Sequence, residues 1–215
     1  MRILVINPNT TTAMTQHVVN HLSLHLDAAA HISPLTAAQG APVIATQEAF
    51  DDAAQTACTM LSQAVDEGLV FDKVLLACFG DPGLEAMRLK IKQPVIGLAH
   101  ASLKVAQSLG KPFAVVTAGA AWQSILVQRF THWGASPLFA GVQVIGGSGL
   151  DVFNHPVAAL AAVQVAIKTA RASGAENIIL GGAVFAGYKA VMQASGIDTQ
   201  GVLDCAACAA DALNH

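Results

Sequence analysis

Charge is scarce in this chain: Asp, Glu, Lys and Arg make up 12% of 215 residues, and the net charge at neutral pH is -3. A nucleic-acid surface or a polybasic membrane contact needs a cationic field, so neither is expected. A small-molecule site is the expectation instead. Long apolar runs are missing too, although 53% of the residues are hydrophobic; none reaches the roughly 18 uncharged residues of a membrane span. Met1-Arg2 leads straight into Ile3-Leu4-Val5-Ile6 with no cleavable leader pattern, so a cytoplasmic protein is expected. The four cysteines, Cys58, Cys78, Cys205 and Cys208, lack paired metal-ligand spacings, and a reducing compartment disfavours disulfides. Cys205 and Cys208 fall on one helix face without a partner pair, so no zinc centre is assigned.

What is present is an alternation of β-rich runs with Ala-rich helical stretches, the pattern of parallel strands buried on both faces by crossover helices. The runs are Ile3 to Ile6, Val74 to Ala77, Val95 to Leu98, Phe113 to Thr117, Val142 to Ile145 and Ile178 to Leu180. Helices are expected over Thr11 to Leu26, Thr46 to Glu67, Ala121 to Trp133 and Pro156 to Ser173, with Gly68, Gly110, Gly134 and Gly174 placed to cap helical stretches.

The chemical handle is Cys78, at the end of the apolar run in Val74-Leu-Leu-Ala-Cys-Phe-Gly-Asp-Pro-Gly83. About 104 positions later Ile178-Ile-Leu-Gly-Gly-Ala-Val-Phe-Ala-Gly187 repeats the pattern with Gly182 at the matching place. Leu4 to Thr10 and Phe113 to Gly119 repeat at nearly the same separation, as strands ending in small polar residues. A duplication follows: an α/β fold of two pseudo-symmetric lobes, each a mainly parallel sheet flanked by helices, with a site in the cleft between them. No Pro/Gly/Ser-rich linker marks the join, so spacing alone sets the lobes at 1–98 and 99–204, and a terminal helix over about 205–215 is free to pack back on the first lobe. Ligands of open parallel sheets sit beyond the carboxyl ends of the strands, which gathers Asn7, Asn9, Thr10, Cys78, Thr117 and Gly182. Gly80 and Gly83 allow the backbone to approach a ligand closely. A thiol before a helix N-terminus has a lowered pKa, an effect that Asp81 opposes. Cys78 also reads as a small buried hydrophobe, and Asn9 or Thr10 as a helix cap.

Ile6-Asn-Pro-Asn-Thr10, Ala77-Cys-Phe-Gly-Asp-Pro-Gly83 and Leu180-Gly-Gly-Ala-Val-Phe-Ala-Gly187 together resemble the aspartate/glutamate/hydantoin racemase superfamily, nearest its hydantoin and allantoin racemase branch. The resemblance covers nearly the whole chain. It implies a cofactor-independent isomerase moving a proton at a carbon next to a carbonyl, Cys78 as a catalytic residue, and a small anionic or ureide-type substrate. It adds Ile44, Phe79, Gly80, Ala118 and Ala183 to the substrate contacts. No metal and no cofactor are expected, and the low charge suggests a homo-oligomer.

Departures from the family pattern qualify this. The second cysteine of the family, in a G-C-A-G-like stretch, is replaced by Gly182 in Gly181-Gly182-Ala183-Val184; a substrate-facing hydroxyl in G-P-x-S-I becomes Val43; and a carboxylate after the P-V-I-G strand becomes His100, a possible second acid or base. Cys205 and Tyr188 are weaker candidates that also read as packed residues. His17, His21 and His25, at i, i+4 and i+8, read as a solvated polar face rather than a metal site. Three functions remain open: a racemase or epimerase of a hydantoin-, allantoin- or amino-acid-like substrate, a single-thiol lyase or isomerase resembling arylmalonate decarboxylase or maleate isomerase, and a non-catalytic binder.

Overall fold

The computed structural model describes residues 1–135 and 137–215. The first sheet is built from β1 (Arg2–Asn7), β2 (His31–Thr36), β3 (Lys73–Leu76) and β4 (Val95–Gly97), in the order β2-β1-β3-β4. The second is built from β5 (Phe113–Ala118), β6 (Phe139–Ile145), β7 (Asn177–Leu180) and β8 (Val202–Asp204), in the order β6-β5-β7-β8. Every pairing is parallel, and the central ladders set Leu4 against Val74 and Val116 against Leu180. The two-lobed α/β architecture expected from the spacing is therefore the one adopted.

Connections run through α1 (Thr12–Ser23), α2 (Gln47–Asp66), α3 (Leu84–Lys90) and α4 (Leu98–Ser108) around the first sheet, then α5 (Ala121–His132), α6 (Gly149–Asn154), α7 (Leu160–Ala172) and α8 (Tyr188–Ala194) around the second. A 3-10 turn covers Ala183–Phe185, and α9 (Cys205–Asn214) ends the chain. The pseudo-symmetry reaches single residues: Gly83 and Gly187 both have left-handed backbone (φ 79° and 73°) and precede α3 and α8. In α2 the buried positions Phe50, Ala53, Ala57, Leu61 and Ala64 recur at steps of three and four; Ala57, Leu61 and Ala64 cover one face of the first sheet, while Phe50 and Ala53 pack with Ile44, Cys78 and Ile125.

Alternate residues of the central strands enter different cores. Leu4, Ile6, Val74 and Leu76 pack with Ala57, Leu61 and Ala64 of α2. Val5, Leu75, Val115 and Ile179 face the other way, into a core drawn from both sheets together with α4 and α9. Full burial of such side chains stabilises by roughly 1.5–3 kcal/mol each, so a shared core ties each lobe's stability to the other.

Two strands were not expected as strands. β2 lies at a sheet edge, largely exposed, and Pro34 within it has no N–H to donate, which an edge position tolerates. β8 is three residues long. The expected helix from Pro156 begins instead at Leu160, after a turn in which the Pro156 carbonyl accepts a 2.7 Å hydrogen bond from Tyr188 Oη. The histidine face of α1 is not uniformly solvated: His17 and His21 are half-buried, edge-on to each other at 4.7 Å, with His17 against Phe153 and His21 against Gly187, because the turn before α8 covers them. Among the described residues no cluster of three potential metal ligands occurs, and no helix is long and apolar enough to cross a membrane.

Candidate active site

The carboxyl ends of β1, β3, β5 and β7 open onto a cavity of about 300 Å³. From the first lobe, Cys78 and Phe79 follow β3, Asn9 follows β1, and Val43, Ile44 and Ala45 come from the loop before α2. The second lobe contributes Thr117 to Trp122 at the β5–α5 turn, Gly147 to Gly149, and Gly181 to Val184 after β7. Asn9, Ile44, Cys78, Phe79, Thr117, Ala118, Gly182 and Ala183 all line this cavity. Of the expected site residues, Asn7, Thr10, Gly80 and His100 do not.

Each of these four has partners elsewhere in the fold. The Asn7 amide is spent inside the fold, where Nδ2 donates to Asn9 Oδ1 (3.0 Å) and Thr15 Oγ1 (2.8 Å) while Oδ1 accepts from Asn9 N. Thr10 donates its backbone N–H to the Ala41 carbonyl. The Gly80 carbonyl accepts from Arg129 Nε at 3.1 Å, so this residue serves the back of the loop. His100 sits on α4, edge-on to Trp133 at 5.4 Å, with Nδ1 3.4 Å from the Arg88 guanidinium. Burial, followed by the nearby Arg88 and Lys104 cations, lowers its pKa to about 4.

Cys78 is 5% exposed, and its Sγ lies 3.7 Å from the Phe79 carbonyl. The expectation of a lowered thiol pKa is overturned: burial first, and Asp81 second, push it well above the ordinary thiol range. The reason is geometric, since α3 begins only at Leu84 and the loop carries Asp81 between the thiol and that helix. Asp81 is fully buried, with φ 54°, a left-handed conformation that aspartate tolerates better than most residues. Its two carboxylate oxygens accept from Ala99 N (3.1 Å) and His100 N (2.7 Å), capping α4. Burial raises its pKa to about 7 against those two donors.

Residues that the sequence did not single out hold this loop. Arg129, on α5 of the second lobe, donates to the carbonyls of Gly80 and Asp81 in the first and forks onto Glu85 at 2.9 and 3.0 Å. Trp133 Nε1 donates to Glu85 at 2.7 Å, and the guanidinium lies 4.4 Å over the Trp133 ring. Burial tends to raise the Glu85 pKa, but these hydrogen bonds hold it at about 2. Trp122 donates Nε1 to the Ile44 carbonyl, joining the β5–α5 turn to the loop before α2. None of these contacts has a local sequence signal, because each joins elements far apart in the chain.

The cavity wall is mostly apolar, with Met14, Val43, Ile44, Phe79, Trp122 and Val184 beside the polar groups of Asn9, Thr117 and Ser148. Asn9 Oδ1 accepts from Asn7 Nδ2 and Thr11 N, which leaves the amide nitrogen as the donor that a ligand would meet. Among the described lining residues Cys78 is the one ionisable side chain.

Two matched parallel sheets with a thiol at a strand end in the cleft between them define a class of two-lobed α/β enzymes. Residues 3–213 match the Asp/Glu/hydantoin racemase family, and the chain belongs to that family of isomerases. It is 32% identical to a hydantoin racemase of Rhizobium meliloti, over 84% of this chain and 75% of that one. It is 30% identical to a hydantoin racemase of Paenarthrobacter aurescens, over 87% and 80%. The crystal structure of allantoin racemase from Pseudomonas fluorescens superimposes with a TM-score of 0.87 at 27% identity, covering 99% of this chain and 88% of that one.

Proposed function

We propose that this chain is a cofactor-independent racemase that moves a proton at a carbon next to a carbonyl in a hydantoin- or allantoin-like substrate, with Cys78 as its acid–base group. The observation that carries the reading is the position of Cys78, the one ionisable side chain among the described residues lining the cavity. Among the described residues the wall has no charged side chain, which suits a neutral cyclic ureide better than an amino-acid zwitterion or a dicarboxylate, whose charges would be desolvated there without partners. The α-proton of such a ring is acidified by the adjacent carbonyl, and the resulting enolate is stabilised by hydrogen-bond donors, here the Asn9 amide and backbone N–H groups of the strand-end turns. The proposal extends to lobes of residues 1–98 and 99–204 that share the site, and to a cytoplasmic homo-oligomer, for which the low charge content is the support.

A second reading has an observation of its own. Burial favours a protonated Cys78 at rest, and a neutral thiol is a ready proton donor, as a lyase that quenches an enolate after decarboxylation requires. One experiment separates the two: proton NMR in D2O with 5-substituted hydantoins, allantoin, aspartate, glutamate and aryl malonates, for wild type and Cys78→Ala. Deuterium at the α-carbon with loss of optical activity, reduced about 100-fold or more in Cys78→Ala, is the expected result. CO2 release from an aryl malonate with one enantiomer formed would select the lyase instead.

A further inference from the structure

We infer that acid–base chemistry in this cavity is one-faced: Cys78 removes and returns a proton on a single face of the reacting carbon, so that one enantiomer exchanges it with solvent, configuration retained, faster than it is inverted. The inference rests on the proton-transfer reading above and goes beyond it in stereochemical course.

The two central strands end in equivalent turns, and chemistry is present at one of them. After β3 comes the Cys78 thiol; after β7, Gly181 to Val184 line the cavity with backbone and aliphatic atoms. An ionisable group does stand behind that second turn. Cys205, the first residue of α9, has its Sγ 3.4 Å from the Gly182 carbonyl and donates to it, but the residue is fully enclosed and is not part of the cavity wall. Gly181 leaves no room for a reactive side chain of its own, since a Cβ there would lie 2.6 Å from the Phe79 ring.

The step balances with substrate, thiol and water alone. Cys78, ionised to solvent, takes the α-proton; the S–H bond forms, the C–H bond breaks, and its electron pair passes into the enolate. The enolate collapses on the same face by taking the hydron back from sulfur, after S–H has exchanged with water in the open cavity. Inversion requires a hydron from the other face, where the described wall offers no ionisable side chain and water is the donor. Exchange therefore runs ahead of inversion for the enantiomer whose C–H points at Cys78.

The test uses each enantiomer of 5-benzylhydantoin separately in D2O, with chiral separation and mass spectrometry of the recovered starting enantiomer and of the inverted product. The expected result is deuterium in recovered starting material for one enantiomer only, at least tenfold faster than its inversion, with the pattern unchanged in Cys205→Ala. Deuterium confined to the inverted product from either enantiomer would overturn the inference, because it is the pattern of donors on both faces. Loss of inversion in Cys205→Ala with exchange intact would overturn it as well, by naming the second donor. No label in either species, with Cys78→Ala identical to wild type, would remove the proton-transfer reading itself and this inference with it.

Discussion

His100 and Asp81 meet at one peptide N–H, yet they pull the stability of the protein in opposite directions as pH changes. The His100 ring has a pKa of about 4 in the fold against an ordinary 6.5, so the unfolded chain binds more protons between those values. Its contribution is present above pH 6.5 and is lost as pH falls toward 4. Asp81, raised to about 7 from 3.8, works the other way, and its contribution is lost as pH rises from about 4 to 7. His100→Gln keeps the backbone N–H that Asp81 requires and removes only the titrating ring. We predict that the change in melting temperature on going from pH 7 to pH 5 is more favourable in His100→Gln than in wild type, because only the His100 contribution is removed and that of Asp81 remains; equal changes would remove the ring from the account. At this scale the sequence showed which residues were unusual but not what they do. Cys78 was legible because a thiol after an apolar run is rare. His100 was legible only as a departure, and its contacts with Arg88 and Trp133 follow from helix packing that no local pattern encodes.

Among the elements, α5 connects the lobes. It carries Arg129 to the carbonyls after Cys78 and Trp122 to the Ile44 carbonyl, so one helix of the second lobe fixes two loops of the first. Arg129→Met retains most of the aliphatic stem and deletes the donors to Gly80, Asp81 and Glu85. The expected cost in urea unfolding is about 1.5–3 kcal/mol, the range for hydrogen bonds to charged groups. Loosening the Asp81 turn also frees the Cys78 backbone, so alkylation of Cys78 by iodoacetamide should change rate in the folded variant. An unchanged alkylation rate with the stability loss present would make Arg129 a purely structural clamp. The central strands were the most closely legible, since their apolar runs have little other explanation: β1, β3, β5 and β7 all lie within a residue or two of the sequence expectation, whereas β6, a partly exposed edge strand, begins three residues before its expected run. β2 was not legible, because a strand exposed at an edge, with a proline inside it, carries the signals of a loop.

For the whole molecule, the order β2-β1-β3-β4 repeated as β6-β5-β7-β8 made the cleft deducible from two motifs spaced alike. The closing of the chain was less so. α9 packs against α1 and α4, burying Cys205, Ala209, Ala210 and Leu213 in the core that both sheets share. Its first turn is capped by Asp204, whose Oδ1 accepts from Ala206 N and Ala207 N, and its last is tied to the first sheet by Lys73 Nζ on the Leu213 carbonyl at 2.7 Å. Removing residues 205–215 would expose the facing sides of α1 and α4 and delete a fully buried leucine, itself a loss of about 2–5 kcal/mol when truncated to alanine. Domains of this size have only about 5–15 kcal/mol of net stability, so a chain ending at Asp204 is predicted to lose its cooperative thermal transition by circular dichroism. Leu213→Ala, by comparison, should retain the transition at a lower midpoint. A cooperative transition in the truncated chain, at a midpoint close to wild type, would mean that the two sheets cohere without α9 and that the shared core is held by β1, β3, β5 and β7 with α4 alone.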